Sequence, residues 1–438
     1  MKTMTTLTLS LMTWCAQATS IKDFKPFDYE VLFTNPECKL YAYDQPQINS
    51  NGDEVKSKTK NAYCKSSDSS RSQNRSDSPH SRFIDWISDT KTKSIFMAYL
   101  SFSKHSVAEE LCRAVKRGVK LTMIIDSNND GDVNRMRELD YISKCGQNST
   151  DVRLELRGGE GRGSNKLGYA HNKIFLINFD MKGETKIAFS SGNLSSGLAT
   201  HHENWHFVTT NSSSYFAQAH LCLMNGMLDH HEGKKEYAQF VKSCKSKIDV
   251  PEEDDMKTFF VPGEGPQALA VMKKSFGESD LIQVAAHRFS LNVLEQLIKE
   301  SLMKKKTVQL VADDDLHYSA VYKREIGRNM TNEAYKVKNL EAKGLQAHFI
   351  ETWMDNLEAP ESLQLHHNKF LIFTKKNHPF AVFTGAGNLT NAAFQTNFEN
   401  FYFTTIDTVV EKFAEQYKYL FSKLGKSSRE LPSELVLP

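Results

Sequence analysis

Two short segments constrain this chain more than any other feature. "AHNKIFLINFD", residues 170–180, and "HHNKFLIF", residues 366–373, each place His-Asn-Lys at the mouth of an apolar run. Such a tripeptide occurs easily by chance, and a lone His or Lys at a strand end is usually a satisfied or solvated polar group. Here the surroundings repeat as well. His171 and His367 are 196 positions apart, and so are Glu203 and Glu399. Between them "SSGNLSS" matches "GAGNLTN", and "ENWHFVTT" matches "ENFYFTT". Upstream, residues 94–126 and 281–313 align without a gap: Phe102 pairs with Phe289 and Asp126 with Asp313, both 187 apart. An internal repeat of this size implies one supersecondary unit used twice.

Each unit reads strand, helix, strand. The first helix has apolar residues at Val107, Leu111 and Val115, with Gly118 as its stop. In a strand, residues i and i+2 share a face. His171 therefore projects with Lys173, and His367 with Lys369. The runs "IFLI" and "FLIF" are buried-strand material. The expected fold is α/β, with two pseudo-symmetric α/β/α domains and two His and two Lys converging between them.

That convergence suits a phosphodiester. One neutral imidazole attacks phosphorus and the other protonates the leaving oxygen. Lys173, Lys369, Asn193 and Asn388 hold the non-bridging oxygens, while Glu203 and Glu399 orient the histidines. Such a set of fixed donors requires no metal or other cofactor. The constellation resembles the phospholipase D superfamily of "HKD" phosphodiesterases over about residues 80–425. The resemblance implies catalysis through a phosphohistidine by His171, Lys173, Asn193, Glu203, His367, Lys369, Asn388 and Glu399. The family's motif Asp falls on Asn178 and Thr374, a departure for which Asp180, placed on the same strand face, is the expected substitute. The Gly-Ser pair before the motif Asn reads Ser190-Ser191 in one half and Gly385-Ala386 in the other.

The N-terminus reads as an export signal over 1–18: Lys2, a Thr-diluted apolar core "MTTLTLSLMTW", and small residues at Ala16 and Ala18. Residues 19–80 form an N-terminal extension and linker, polar and Ser-rich from Cys64 to Ser81, expected as loop. Residues 81–250 and 251–438 form the two phospholipase D-like domains. Apart from Cys15 there are six cysteines, all within the first 250 residues. Their even number and an exported address predict disulfides, most simply Cys38–Cys64, Cys112–Cys145 and Cys222–Cys244.

Substrate class is open between two readings. Both motifs lie in one chain, so a monomer suffices, as is common among the family's lipid enzymes. The net charge of +2 lacks the basic bias of non-specific nucleic-acid binding. Trp353, Met354 and Leu357 precede the second motif and offer a peripheral membrane contact. These features favour phospholipid head groups, by hydrolysis or transfer. Basic stretches near Lys116 and Lys304 keep an exported nuclease as the alternative. A non-catalytic phosphate-binding envelope protein is a third reading, disfavoured by retention of both histidines.

Other motifs carry less. "DSNNDGDVNRMRE" from Asp126 imitates a calcium loop but has Arg137 at its twelfth position and follows a strand. His201-His202 and His230-His231 are adjacent pairs whose side chains diverge. "GGEGRG", residues 158–163, is expected as a lip over the site. Lys304 to Lys306 reads as a solvated helix end.

Overall fold

The computed structural model describes residues 23–36, short strand pairs within 40–62, and residues 66–431 except 131–132, 147–150, 161–162, 319–327 and 353–364. The expected signal, both partners of Cys38–Cys64, and Trp353, Met354 and Leu357 lie outside the described residues.

Two large mixed sheets dominate. The first contains β1 (Asp28–Thr34), β2 (Ser94–Tyr99), β3 (Lys120–Asp126), β4 (Val152–Arg157), β5 (Lys173–Ile177), β6 (Glu184–Ser190) and β7 (Glu203–Asn211), in the order β1-β7-β6-β5-β2-β3-β4. The second contains β8 (Met256–Val261), β9 (Leu281–Ala286), β10 (Thr307–Asp313), β11 (Gln346–Ile350), β12 (Lys369–Lys375), β13 (His378–Gly385), β14 (Glu399–Thr404) and the short β15 (Lys426–Ser427). Its order is β8-β14-β13-β12-β9-β10-β11-β15. Strand for strand, the first seven positions correspond. β2, β3 and β4 run parallel, as do β9, β10 and β11. The motif strands β5 and β12 lie antiparallel to them at the sheet centre.

The helix His105–Lys116 connects β2 to β3, and Asn292–Met303 connects β9 to β10. Val107, Leu111 and Val115 are buried in the first core, and Gly118 adopts φ +90°, which an L side chain disfavours. Every residue of β5 is buried. A strand covered on both faces tolerates the unbroken apolar run. The two halves meet through aromatic packing: the rings of Phe189 and Tyr402 are 3.7 Å apart, and those of His206 and Phe413 are 5.4 Å apart.

Three expectations are corrected. Residues 64–81 are not simply loop: helices span Ser66–Gln73 and Pro79–Ser88. The second starts because the Ser78 side chain accepts from the Ser81 N–H and Pro79 presets the first turn. The N-terminal extension is also not separate from the repeat. β1 pairs along β7 as the first sheet's edge, the position β8 takes in the second. Its apolar residues Val31 and Leu32 are buried there. Finally, β5 ends at Ile177, so Asp180 lies beyond the strand rather than on its face. Asp180 accepts from the Ser94 hydroxyl, and Asn178, at φ 55°, accepts from the N–H groups of Lys93 and Ser94. The departing motif position thus secures the end of β5 remote from His171.

Two disulfides are present among the described residues, Cys112–Cys145 and Cys222–Cys244, as expected. No helix among them is long and apolar enough to cross a membrane. The disulfides are compatible with a secreted or periplasmic protein.

Candidate active site

The segments just before β5 and β12 cross to the opposite half. His171 N–H donates to Phe398 O at 3.0 Å, and Phe398 N–H to Tyr169 O at 2.9 Å. Symmetrically, His367 N–H donates to His202 O at 2.9 Å, and His202 N–H to Leu365 O at 2.8 Å. Backbone bridges therefore lock each motif histidine beside the other half's Glu-bearing strand.

The consequence is a crossed pairing. His171 Nδ1 lies 2.8 Å from Glu399 Oε2, and His367 Nδ1 lies 2.9 Å from Glu203 Oε1. A carboxylate accepts, so Nδ1 carries the proton and Nε2 keeps its lone pair. Both glutamates are fully buried. Gly192 makes room for one of them: a Cβ there would stand 2.0 Å from Glu203 Oε2. Lys173 Nζ donates to His171 O at 2.9 Å and sits 3.2 Å from His171 Nε2. Lys369 Nζ donates to His367 O at 2.6 Å and to Ser191 O at 3.2 Å. The two histidines, two lysines and two glutamates thus meet at the seam between the halves, and Asn388 shares a cleft with His171; the Asn193 and Asn388 Oδ1 atoms are buried and without a partner among the described residues.

Electrostatics follow from burial. Burial holds the His171 imidazole below its usual range; Glu399 opposes this and the two lysines add to it. His367 is pushed well below its usual value, again first by burial, then by Lys369, His287 and His201. Burial lowers Lys173 to about 8 against the pull of both glutamates. Lys369 is also held well below its ordinary value by burial and Lys173. An entering anion relieves all four.

Six supporting residues carry roles that the motifs alone do not reveal. Asp126 accepts from Ala170 N–H at 2.6 Å, and Asp313 accepts from His366 N–H at 2.8 Å. Each fixes the residue preceding a motif histidine, so Asp126 serves as an anchor in the loop that imitates a calcium site. Asn204 donates to Asn368 at 3.1 Å, and Asn172 to Asn400 at 3.4 Å. The recurrence of these residues at the repeat offsets is the signal by which the sequence marks them. Gly158 pairs with Tyr169, which places the start of the Gly-rich segment beside the first motif.

A cleft of about 470 Å³ reaches His171 and Asn388, with Tyr169, Arg288, Ser290 and Asn397 also in its wall. A separate groove of about 560 Å³ beside Cys222–Cys244 contains none of the eight residues.

The architecture and the seam define a duplicated α/β fold in which the two His-Asn-Lys motifs meet. Residues 83–221 match the family described as "Cardiolipin synthase, PLD-like domain". The two-sheet fold is phospholipase D-like, and the similarity to that family in sequence extends over residues 83–221. Phosphatidylserine synthase from Haemophilus influenzae Rd KW20 is 11% identical, with 81% of this chain and 86% of that chain covered at a TM-score of 0.52. Yeast tyrosyl-DNA phosphodiesterase is 12% identical, covering 74% and 85% at 0.45. The phospholipase D family member Nuc from Salmonella typhimurium is 17% identical, covering 39% and 96% at 0.29. No curated protein sequence matches the chain.

Proposed function

We propose that the protein is an exported, metal-independent phosphodiesterase acting through a phosphohistidine, with phospholipid head groups as its substrates. The crossed His171–Glu399 and His367–Glu203 pairs carry this reading. His171 Nε2 attacks phosphorus; the P–O bond to the leaving group breaks as His367 Nε2–H protonates that oxygen. Water, deprotonated by His367, then attacks phosphorus and breaks the P–N bond. An alcohol in place of water gives transfer. Lys173, Lys369, Asn193 and Asn388 stabilise the negative oxygens throughout. His171 is assigned the attack because the cleft opens onto it. His367 starts neutral and acquires its proton when the anionic substrate enters.

The cleft wall is polar, with Ser290, Thr390, Asn391 and Asn397, and suits a hydrated head group more than acyl chains. A nucleic acid is the second reading, favoured by Tyr169, which is 53% exposed at the cleft edge and offers a stacking face. Purified protein, treated with chelator, should be assayed against labelled phospholipids, DNA, RNA and a small soluble diester. Head-group release that survives chelation supports the proposal. Cleavage of nucleic acid alone would replace the substrate and keep the mechanism. Activity lost on chelation and restored by zinc or magnesium would overturn the metal-free reading.

A further inference from the structure

The two halves of the site are not equivalent. By the repeat, Asn397 occupies the place of His201, and Leu100 that of His287. Around His171 the local partners are therefore Glu399 and Asn397, the latter donating to Glu399 Oε1 at 3.0 Å. Around His367 stand two extra imidazoles. His201 Nδ1 is 3.4 Å from Glu203 Oε1, and its ring centre is 5.7 Å from that of His367. The His287 ring centre is 4.8 Å from that of His367.

From this broken symmetry we infer a zinc-binding inhibitory site formed by His201, Glu203 and His367. One donor atom from each lies within 4.8 Å of the other two. Tetrahedral zinc with bonds of about 2.0–2.1 Å needs ligand atoms roughly 3.3 Å apart. The 3.4 Å and 2.9 Å separations on Glu203 Oε1 already approach that spacing. Two imidazoles and a carboxylate suit a borderline-soft divalent ion, with a fourth position for water. An independent observation points the same way. Glu203 Oε2 and His287 Nδ1 are buried yet lack hydrogen-bond partners among the described residues. They leave polar capacity beside the cluster that the protein alone does not use. Gly197 keeps the place open, since a Cβ there would meet His201 Nδ1 at 2.4 Å.

Zinc on His367 Nδ1 leaves the ring's one remaining proton on Nε2. The ring then has no lone pair with which to accept a proton, and the metal's charge opposes its becoming an imidazolium. His367 is disabled in either half of the reaction, and Glu203 is diverted from orienting it. The inhibition rests on the proposed catalytic role of His367, whereas the binding does not.

The full chain, free of any polyhistidine tag, should be titrated with Zn²⁺ by calorimetry. Its diester hydrolysis should be followed in parallel. One Zn²⁺ per chain is expected to bind and to lower activity more than tenfold, with full recovery on adding EDTA. His201→Asn, which installs the residue of the other half, should weaken Zn²⁺ binding at least tenfold and release the inhibition. His287→Leu, likewise borrowed from the other half, checks that loss of binding belongs to the metal-ligand trio: it should retain tight Zn²⁺ binding. Binding with no effect on hydrolysis, in a protein that does cleave diesters, would contradict inhibition. Binding in a protein without diesterase activity would uphold the metal site and remove the proposed function instead. Absence of binding to the wild type, or equal affinity in His201→Asn, would overturn the inference.

Discussion

His171 Nδ1 and Glu399 Oε2 lie 2.8 Å apart across 228 residues of sequence. Neither motif histidine pairs with the motif glutamate of its own half; each borrows the other half's carboxylate. Glu399→Gln keeps the shape but replaces one acceptor with an amide. It is expected to lower kcat by about 10²-fold or more while KM changes little, because orientation and imidazolium stabilisation are lost rather than phosphate binding. Glu203→Gln should do the same through His367. Steady-state kinetics on a soluble diester measures both, and full activity in either variant would show that the crossed pairs are only structural.

Anion binding should depend on pH through Lys173. Burial lowers this lysine to about 8, and a bound anion favours its charged form. Affinity is therefore fully expressed below pH 8 and lost as pH rises through it, with about half a proton taken up per anion bound at pH 8 and more above it. Sulfate, whose own charge is constant in this range, is the ligand to titrate by calorimetry in buffers of differing ionisation enthalpy. Lys173→Met should remove the part of the dependence centred near pH 8.

Much of this organisation is legible in the amino-acid sequence alone. The repeated strand-helix-strand units and the paired polar motifs stand out because apolar periodicity and residue spacing are local properties. What crosses the seam is not local. Nothing in the spacing of Glu203 says that it serves His367 rather than His171, since that choice is made by the bridge of His202 with His366. The placement of Asp28–Thr34 in the first sheet is hidden for a similar reason. A long insertion separates it from the repeat, whereas Met256–Val261 directly precedes its own unit. The Ser66–Gln73 helix runs against intrinsic propensity; its backbone lies along the short helix Gly197–Thr200, and such tertiary contact is invisible in composition. The contrast of His201 with Asn397 is readable only by applying the 196-residue offset to every position rather than to the motifs alone.

Acid should unfold the protein through buried neutral histidines. Burial lowers His206 to about 3 and His220 to about 4, against an ordinary value of 6.5. As pH falls below 6.5, the unfolded chain binds protons that the native state refuses until pH 3–4. Stability is thus lost across that window, by up to about 1.4 kcal/mol per pH unit for each histidine. Urea unfolding at a series of pH values tests this. His220→Gln should flatten the acid limb by the equivalent of one proton.

Each disulfide should contribute substantially to stability. Cys112–Cys145 and Cys222–Cys244 close loops of 33 and 22 residues. Loop-closure entropy assigns about 3–4 kcal/mol to each. Replacing both members of either pair by Ser should lower the urea midpoint accordingly. Thiol counting on denatured, unreduced protein should find none of these four cysteines reactive.

A covalent bond between phosphorus and His171, resolved with the help of His367, is the centre of the proposed mechanism. Rapid quench of the enzyme turning over a soluble diester, followed by peptide mass spectrometry, tests it most directly. The expected result is a substrate-derived phosphoryl adduct on the peptide containing His171, absent in His171→Ala, with either histidine-to-alanine variant at least about 10³-fold slower. An adduct on His367 instead would reverse the two roles. Undiminished turnover in His171→Ala, or rapid turnover with no phosphohistidine at any quench time, would contradict the mechanism.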